Sequence, residues 1–324
     1  MSKTLTLQDI ADKAGISLTT ASMYINGKAE KYNISKATCE RIAKVIAENN
    51  YNPNIHARAI AGKKTYLIGV IIAGGIDSSF WLDIVAGIEE KITPFNYHMI
   101  LSVSHYNVET ERKSIEFMNA KGVDGFIYSP AMPGANIDII NKLKKKKPFV
   151  SITLPLDGIP SVYNDNSAGG EVAAEYFFSN GHRKIAYIGS LDSRGDLRGE
   201  SFIKYLETKG VTTATFTDVN SFIAKVRDFT AVFCFSDYQV LDLYNEAAKI
   251  GIKIPDDLSV IGYDNMNFIQ YLSPRPATVH QYKKELGSEA ADILMNCLDK
   301  NEILKDKVFT PKLIESSSVI KIRR

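Results

Sequence analysis

The stretch that decides the fold is TLQDIADKAGISLTTASMYINGK, which runs from Thr6 to Lys28. It holds two short helical patterns, which are separated by a tight joint at Gly15. Thr6 and Ser17 can each cap a helix, because a side-chain oxygen accepts from N–H groups that have no partner inside the helix. One face of the first pattern carries apolar residues at helical spacing, namely Leu7, Ile10, Ala11 and Ala14. The stretch predicts a helix-turn-helix, whose second helix is expected to lie in a DNA major groove.

A third helical pattern begins at Ser35, and a shorter one follows it. The apolar positions of the third pattern are Cys39, Ile42, Ala43, Ile46 and Ala47. In the next segment, YNPNIHARAIAGKKT from Tyr51 to Thr65, Asn54 is placed to cap a short helix that Gly62 would end. A helix of about two turns is marginal in isolation. We therefore expect it to form only when it packs against a partner.

Charge is unevenly distributed along the 324 residues. The whole chain carries a formal +2, but residues 1–65 carry +5, which leaves −3 for the rest. A basic head on a mildly acidic body suits contact between the head and phosphates. A difference of this size also arises by chance, so charge alone does not decide the function.

Several classes of protein are disfavoured by what the sequence lacks. The three cysteines lie far apart and the five histidines show no metal spacing, so neither a disulfide framework nor a zinc site is expected. No GxGxxG follows a strand, and there is no phosphate-binding GxxxxGK and no GxSxG. We expect no enzyme activity, no metal and no cofactor. Without a signal pattern or a run of about 18 apolar residues, the protein is expected to be cytoplasmic.

From Tyr66 onward, β-branched runs alternate with helical patterns, which predicts an α/β body with parallel sheets. After the strand at 158–165 the alternation restarts, which indicates two similar lobes with a cleft between them. Strands are expected at 66–72, 98–103, 125–129, 149–153, 158–165, 184–190, 213–216, 230–236 and 258–264, and the tail adds a helix at 283–299 and a β-rich end at 307–321. Ligands of open parallel sheets bind outside the carboxyl ends of the strands. The candidate site positions are therefore residues 73–79, 129–130, 165–166, 190–194, 236–237 and 263–264.

These residues resemble the lactose-repressor family of transcriptional regulators over the whole chain. The head is similar in TLQDIADKAGIS, TTAS, ING and YNPN–HARAI, and the body in IGVII, VDGFI, GHRKIAYIG, IPDDLSVIGYDN and LSPRPATVHQ. Each motif is weak alone, but their order over more than 300 residues makes the resemblance specific. The head, with TTASMYINGKAEKYNIS, is most similar to the branch that includes fructose and sucrose regulators.

The resemblance implies an all-α helix-turn-helix headpiece and hinge helix, followed by a two-lobed body like the periplasmic sugar-binding proteins. The headpiece is expected at residues 1–52, the hinge helix and linker at 53–65, and the effector-binding and dimerisation body at 66–324. Lobe 1 is expected at about 66–161 and 281–312, and lobe 2 at about 162–280 and 313–324. The chain should cross between the lobes near residues 162, 280 and 312. A homodimer is implied, with two headpieces on a near-palindromic operator.

The family's DNA-reading positions can be carried over residue by residue. In the major groove, Thr19 and Ser22 can hydrogen-bond to bases, whereas Leu18 and Met23 can make only apolar contacts. Many family members have Arg at the position of Met23. Ile60 matches the Leu that the family inserts into the minor groove, although a simple flexible linker is the alternative. The remaining expected DNA contacts are Thr6, Thr20, Asn26 and Lys28 in the headpiece and Asn54, Ala57 and Arg58 in the hinge.

The family's effector positions suit a sugar. An aromatic face can stack on a sugar ring, while carboxylates and Arg hydrogen-bond to hydroxyls. Trp81 could instead be core packing, Arg198 a surface ion pair, and Asp264 a lobe–lobe contact. Thr153 and Leu154 stand where the family commonly has an Asp-Arg pair. The expected effector residues are Phe80, Trp81, Asp165, Asn166, Arg198, Asp237 and Asp264.

The interpretation that follows is a sequence-specific DNA-binding regulator, most simply a repressor, whose operator affinity is controlled by a sugar or sugar phosphate bound between the lobes. The sequence leaves open whether the ligand releases the operator or is needed to bind it. The alternative is a cytoplasmic sugar-binding protein or enzyme on the same two-lobed fold, without a DNA function.

Overall fold

The computed structural model describes residues 5–25, 27–49, 51, 64–191, 197–300 and 305–322. The chain divides into two compact units, residues 1–65 and residues 66–324. The expected hinge helix, with Asn54, Ala57, Arg58 and Ile60, lies outside the described residues, as does Asn26. Within the described ranges, no helix combines the length and the apolar character needed to cross a membrane.

The described residues of the first unit form three helices: α1 (Leu7–Ala14), α2 (Leu18–Ile25) and α3 (Lys36–Glu48). Thr6 and Asp9 form a reciprocal capping box at the start of α1. Gly15 ends α1 with a left-handed φ of 64°, which a residue without a Cβ adopts at little cost. Ser17 accepts from the N–H of Thr20 at 3.1 Å, as expected for the cap of α2. The helix-turn-helix predicted from Thr6 to Lys28 is therefore present.

The apolar face of α3 differs from the predicted stripe. Ala43 and Ala47 are exposed, whereas Ile42 and Val45 are buried against Ile10 of α1. The larger side chains at spacing i and i+3 fill the space between the helices, so the face turns away from the alanines. The sequence analysis counted Ala43 and Ala47 as part of the buried face because alanine is apolar, but both are exposed.

The second unit is an α/β body with two six-stranded sheets. The first sheet has the order β11-β5-β4-β3-β1-β2 with all pairs parallel, and the second has the order β12-β10-β9-β8-β6-β7 with only the β10–β12 pair antiparallel. The strands are β1 (Leu67–Ile72), β2 (His98–Val103), β3 (Gly125–Tyr128), β4 (Phe149–Ile152), β5 (Ser161–Asn164), β6 (Ile185–Ile188), β7 (Thr213–Phe216), β8 (Ala231–Cys234), β9 (Ser259–Asp264), β10 (Ala277–His280), β11 (Lys307–Phe309) and β12 (Lys312–Ile314).

Each sheet carries its own helices and forms one lobe. The helices of lobe 1 are α4 (Ser79–Ile92), α5 (Val108–Ala120), α6 (Ile137–Leu143) and α11 (Lys283–Lys300). Those of lobe 2 are α7 (Asn166–Ser179), α8 (Arg198–Thr208), α9 (Val219–Ile223) and α10 (Asp237–Lys249). Short 3-10 helices lie at Thr93–Phe95, Val226–Asp228 and Asn267–Tyr271. Most predicted elements are present with ends shifted by one to three residues.

The chain passes between the lobes after Asn164, between His280 and Lys283, and between Phe309 and Lys312. The first crossing was expected near residue 162, which lies inside β5. Strand β5 pairs in parallel with β4 and β11, so it belongs to lobe 1 up to Asn164. The third crossing comes slightly before the expected boundary at 312, because Lys312 already pairs with His280 in lobe 2.

Two glycines let helices α4 and α11 pack backbone against backbone in lobe 1. A Cβ on Gly87 would lie 3.0 Å from the backbone of Lys284 and Ser288 and still nearer to the Lys284 carbonyl oxygen. A Cβ on Gly287 would press in the same way on the carbonyl oxygen of Ile84. This contact sets the position of α4, whose first turn carries Phe80 and Trp81.

Candidate functional site

A cavity of about 280 Å³ lies between the two lobes, at the carboxyl ends of the strands. Lobe 1 contributes the ends of β1, β3 and β4, and lobe 2 contributes the ends of β8 and β9 and the starts of α7 and α8. The lining residues are Ala73, Ser78, Phe80, Trp81, Tyr106, Ser129, Pro130, Thr153, Leu154, Asn164, Asn166, Arg198, Phe235, Ser236, Tyr238, Asp264 and Gln281. Five of the seven predicted effector residues are therefore brought together here, namely Phe80, Trp81, Asn166, Arg198 and Asp264.

The lobe 1 wall of the cavity is aromatic. Trp81 is 6% exposed, belongs to the lobe 1 core and also lines the cavity. Phe80 meets the Trp81 ring edge to face, with centroids 5.2 Å apart. Gly74 leaves room for the indole, because a Cβ at that position would collide with it. These rings offer an apolar surface on which the flat face of a ligand can lie.

Arg198 begins α8 and is buried at the lobe 2 side of the cavity. Its Nη1 donates to the Phe235 carbonyl oxygen at 2.7 Å and lies 3.8 Å from Asp264 Oδ1. Its guanidinium carbon lies 3.9 Å from the ring centroid of Tyr263 and 4.3 Å from that of Phe235. Arg198 is thus a buried pocket residue, and cation–π contact and an ion pair hold its orientation.

A chain of polar side chains continues from Asp264 into the crossings. Gln281 Nε2 donates to Asp264 Oδ1 at 2.6 Å, and Asn164 Nδ2 donates to Gln281 Oε1 at 3.0 Å. Lys283 Nζ donates to the carbonyl oxygens of Asp264 and Asn265 at 2.7 and 3.0 Å. Asn164, Gln281 and Lys283 were not among the predicted site residues. The sequence feature that could have identified them is their position beside the predicted lobe crossings near residues 162 and 280.

Lys283 also joins the two lobes electrostatically. Its Nζ lies 3.8 Å from Asp83 Oδ2 of α4 in lobe 1, while its hydrogen bonds go to lobe 2. Ser79 of α4 donates to the Met266 sulfur at 3.7 Å across the same boundary. The arrangement of the lobes is therefore coupled to groups that surround the cavity.

Asp237, one of the predicted effector residues, is not among the residues that line the cavity. Its carboxylate is fully buried and accepts from Met266 N–H at 2.7 Å and from Thr278 Oγ1 at 2.8 Å. The pKa of Asp237 is raised to about 8, mainly because the carboxyl is buried and secondly because the negative charge of Asp264 is near. The side chain therefore joins Met266, which follows β9, to Thr278 of β10, and so supports the lobe 2 side of the cavity.

Asp165, another predicted effector residue, does not line the cavity either. Its Oδ1 accepts from Ala168 N–H at 3.0 Å, so it caps α7 instead of lining the cavity. The neighbouring Asn166 does line the cavity, and its Oδ1 accepts from Tyr263 OH at 2.9 Å. Both residues directly follow the end of β5, as predicted. The sequence pattern could not tell which of the two adjacent side chains faces the cavity.

Two strand ends at the cavity have unusual backbone conformations. Thr153 has φ of 70° and Asp264 has φ of 103°, although neither is glycine. Such conformations are held by surrounding contacts and concentrate at binding sites. Thr153 is held by a 2.9 Å hydrogen bond between its Oγ1 and Ser129 Oγ, and by its N–H, which donates to Val162 O at 2.9 Å.

The surface predicted to contact DNA lies on α2. Leu18 is 45% exposed and Thr19 is also exposed, while Ala21 is buried on the opposite side of the helix. Thr20, Ser22 and Met23 are half-buried, whereas Thr6 and Lys28 are exposed. The exposed start of α2 is the part of a recognition helix that contacts base edges in this motif.

Comparisons with known proteins match both units. Residues 6–54 match the model described as bacterial regulatory proteins, lacI family, and residues 174–319 match the periplasmic binding protein-like domain. The HTH-type transcriptional regulator DegA of Bacillus subtilis is 30% identical over 302 residues, which cover 88% of each chain.

Two solved structures share the fold. The lac repressor dimer bound to operator and the anti-inducer ONPF has a TM-score of 0.84 at 23% identity and covers 98% of this chain and 100% of its own. A LacI family regulator from Enterococcus faecium with bound ribose has a TM-score of 0.70 at 26% identity, with coverage of 79% and 100%. Since the relative, the family model and the fold agree, this chain is a transcriptional regulator that belongs to the lacI family of bacterial regulatory proteins.

Proposed function

We propose that this regulator binds a near-palindromic operator as a homodimer and that a sugar or sugar phosphate in the interlobe cavity controls its affinity for that operator. The observation that carries the proposal is the cavity itself, which combines aromatic rings, amides and hydroxyls from both lobes. Pockets for small molecules are concave, partly apolar and supplied with a few directed polar groups. The Enterococcus relative with bound ribose supports a sugar, and the operator-bound lac repressor dimer supports the assembly.

On the DNA side, we infer that Thr19 and Ser22 read bases by hydrogen bonds, and that Leu18 and Met23 make apolar contacts. Thr6, Thr20, Asn26 and Lys28 would then position the headpiece on phosphates. The proposed headpiece comprises residues 1–52 and the proposed hinge residues 53–65, with Asn54, Ala57, Arg58 and Ile60 at the minor groove.

Control of the operator by the ligand would be a coupling free energy between two sites. A ligand that touches Trp81 in lobe 1 and Arg198 in lobe 2 binds best to one arrangement of the lobes, and so shifts the population toward it. Lys283 links the same two lobes directly, so its contacts with Asp83 and the Asp264 carbonyl contribute to the balance. The direction of the response, release or capture of the operator, follows from which arrangement the ligand favours.

The DNA function is tested by selecting bound duplexes from a randomised pool with the full chain. We expect inverted repeats to be enriched, and binding to weaken steeply with salt because phosphate contacts release counterions. Thr19→Ala should change the enriched sequence. Lys121→Ala, at an exposed end of α5, is the matched control and should change nothing. If no sequence is enriched at low salt, the alternative of a ligand-binding protein or an enzyme without DNA function is favoured.

The ligand function is tested by a thermal-shift panel of neutral sugars, with sugar phosphates as a second set. A ligand that binds only the folded state raises the unfolding temperature by an amount that grows with ln(1 + [L]/Kd). Arg198→Gln should abolish the shift given by any true cavity ligand. A response to purines or amino acids, with silence across both sets of sugars, would replace the proposed ligand class.

A further inference from the structure

The charged groups of the interlobe cavity point to a restriction on its ligand. Among the lining residues that the structure describes, only Arg198 and Asp264 carry charge, and both are buried. They lie 3.8 Å apart, so the positive charge of the cavity wall already faces a carboxylate. An anionic ligand would have to compete with that carboxylate for the guanidinium.

The remaining surface of Arg198 is also engaged. Its Nη1 donates to the Phe235 carbonyl, and its guanidinium lies over the rings of Phe235 and Tyr263. Reorienting the guanidinium toward a phosphate would break the hydrogen bond and the stacking together. A bidentate contact with phosphate needs two parallel N–H groups in a free fork.

The charged side chains just outside the cavity lining also have partners of opposite charge or polarity. Lys283 donates to the carbonyl oxygens of Asp264 and Asn265 and faces Asp83 at 3.8 Å. Behind them lies the fully buried carboxyl of Asp237, which can add negative charge but no positive charge. Burying a phosphate in such surroundings is costly, because an ion that leaves water must find a compensating opposite charge.

We propose that Asp264 occupies the anion-binding side of Arg198 and so makes the cavity select uncharged ligands, such as neutral sugars or glycosides, over their phosphate esters. This inference rests on the proposed role of the cavity as the effector site and narrows it. The groups left for the ligand are neutral donors and acceptors, among them Ser129, Thr153, Asn166 and Ser236, together with the aromatic wall. Hydroxyl groups of a neutral sugar can pair with these without bringing charge into the cavity.

The test uses the full chain and inorganic phosphate as the probe, against sodium chloride at the same ionic strength. Trp81, the only Trp of the sequence, lines the cavity, so its fluorescence reports on occupancy. The wild type should give no saturable phosphate response at millimolar concentrations. Asp264→Asn removes the carboxylate that competes with phosphate, so phosphate should bind about tenfold more tightly or better, as one charge-assisted hydrogen bond allows, and should give a saturable response in that range.

The double variant Asp264→Asn with Arg198→Gln separates the cavity from phosphate sites on the DNA-binding head. It should lose the response that the single variant gains. A saturable response of the wild type that Arg198→Gln removes would overturn the proposal, and so would a folded Asp264→Asn variant without any response.

A second variant covers the case in which Asp264→Asn does not fold. Leu154→Arg adds a cation to the cavity wall and leaves the Arg198–Asp264 pair intact. It should admit phosphate, and a folded Leu154→Arg variant that still excludes phosphate contradicts the charge argument. A wild type that responds to glucose 6-phosphate or fructose 1-phosphate but not to the parent sugars refutes this inference while leaving the proposed regulator in place. Silence of every sugar, with the phosphate pattern as expected, instead refutes the proposed ligand class.

Discussion

Replacing Gly287 by alanine tests the backbone contact between helices α4 and α11. Helix propensity alone would make Gly287→Ala more stable by about 1 kcal/mol. The added methyl, however, would press on the Ile84 carbonyl oxygen, which belongs to the backbone and cannot rotate away. The helices must move apart, and overpacking of this kind costs about 1–3 kcal/mol. Separation also loosens the lobe 1 core, to which Ile88 of α4 and Leu286 of α11 belong, so we expect a net loss of about 1–2 kcal/mol.

The measurement is urea unfolding followed by Trp81 fluorescence, which reports on lobe 1 because Trp81 belongs to its core. Ser288→Ala is the matched control. It removes a hydroxyl that donates to the Gly87 carbonyl at 3.3 Å and adds no atom, so it should cost less than about 1 kcal/mol. Gly287→Ala should also weaken ligand binding, because α4 carries Phe80 and Trp81 at its first turn.

If Gly287→Ala unfolds at the same urea concentration as the wild type or at a higher one, the close contact carries no cost and propensity decides. Gly87→Ala should be destabilising for the same reason from the opposite helix. The two changes together should cost less than the sum of the single costs, because one separation of the helices relieves both.

Three further changes test the roles that the structure gives to polar residues. Burial raises the pKa of Asp237 from its ordinary value of 3.8 to about 8. Between these two pH values the folded state keeps a proton that the unfolded chain has released. The carboxyl group of Asp237 therefore lowers the stability of the fold as pH rises from 3.8 to about 8. Asp237→Asn should therefore gain stability relative to the wild type between pH 5 and 8, and urea midpoints with the same pH dependence as the wild type would contradict this. Asp165→Ala should lower the stability of lobe 2 by about 1 kcal/mol through the lost cap, yet leave ligand affinity unchanged in a fluorescence titration; a tenfold loss of affinity would restore its predicted effector role. Burial lowers the pKa of His182, so the folded state favours the neutral imidazole. The stability that this side chain contributes is complete above its ordinary pKa of 6.5 and is lost as pH falls below that value. His182→Gln should therefore flatten the acid side of the stability profile, and an unchanged acid limb in thermal melts would argue otherwise.

The fold could be predicted from the sequence because each lobe repeats one simple pattern. Buried parallel strands such as β1 are nearly continuous in β-branched and apolar residues, and helices separate them. Strand β10 was not predicted, since ATVH at residues 277–280 is short and follows two prolines. Its pairing with β9 and β12 depends on distant parts of the chain, which a local pattern does not contain.

The candidate site could be predicted only in outline. The rule for strand ends selected Asp264, which ends β9, whereas Trp81 was expected only from the resemblance to the family's effector positions. The rule also selected Asp237, which the structure buries with Met266 and Thr278 as its hydrogen-bond donors. It missed Gln281, because that residue enters the site through its bond to Asp264 across the crossing. Side-chain direction and partners at long sequence separation are set by tertiary packing.

The strands β11 and β12 have a consequence for synthesis. Lobe 1 takes α11 and β11 from the far end of the sequence, and lobe 2 takes β12 and the segment around Ser318, which donates to Val260 O and accepts from Ala277 N–H. A growing chain that has emerged only as far as residue 280 therefore holds two unfinished sheets and no finished lobe. The headpiece helices, by contrast, need only the first fifty or so residues. During translation the DNA-reading unit can fold first, and the unit that controls it becomes complete only with the last strands.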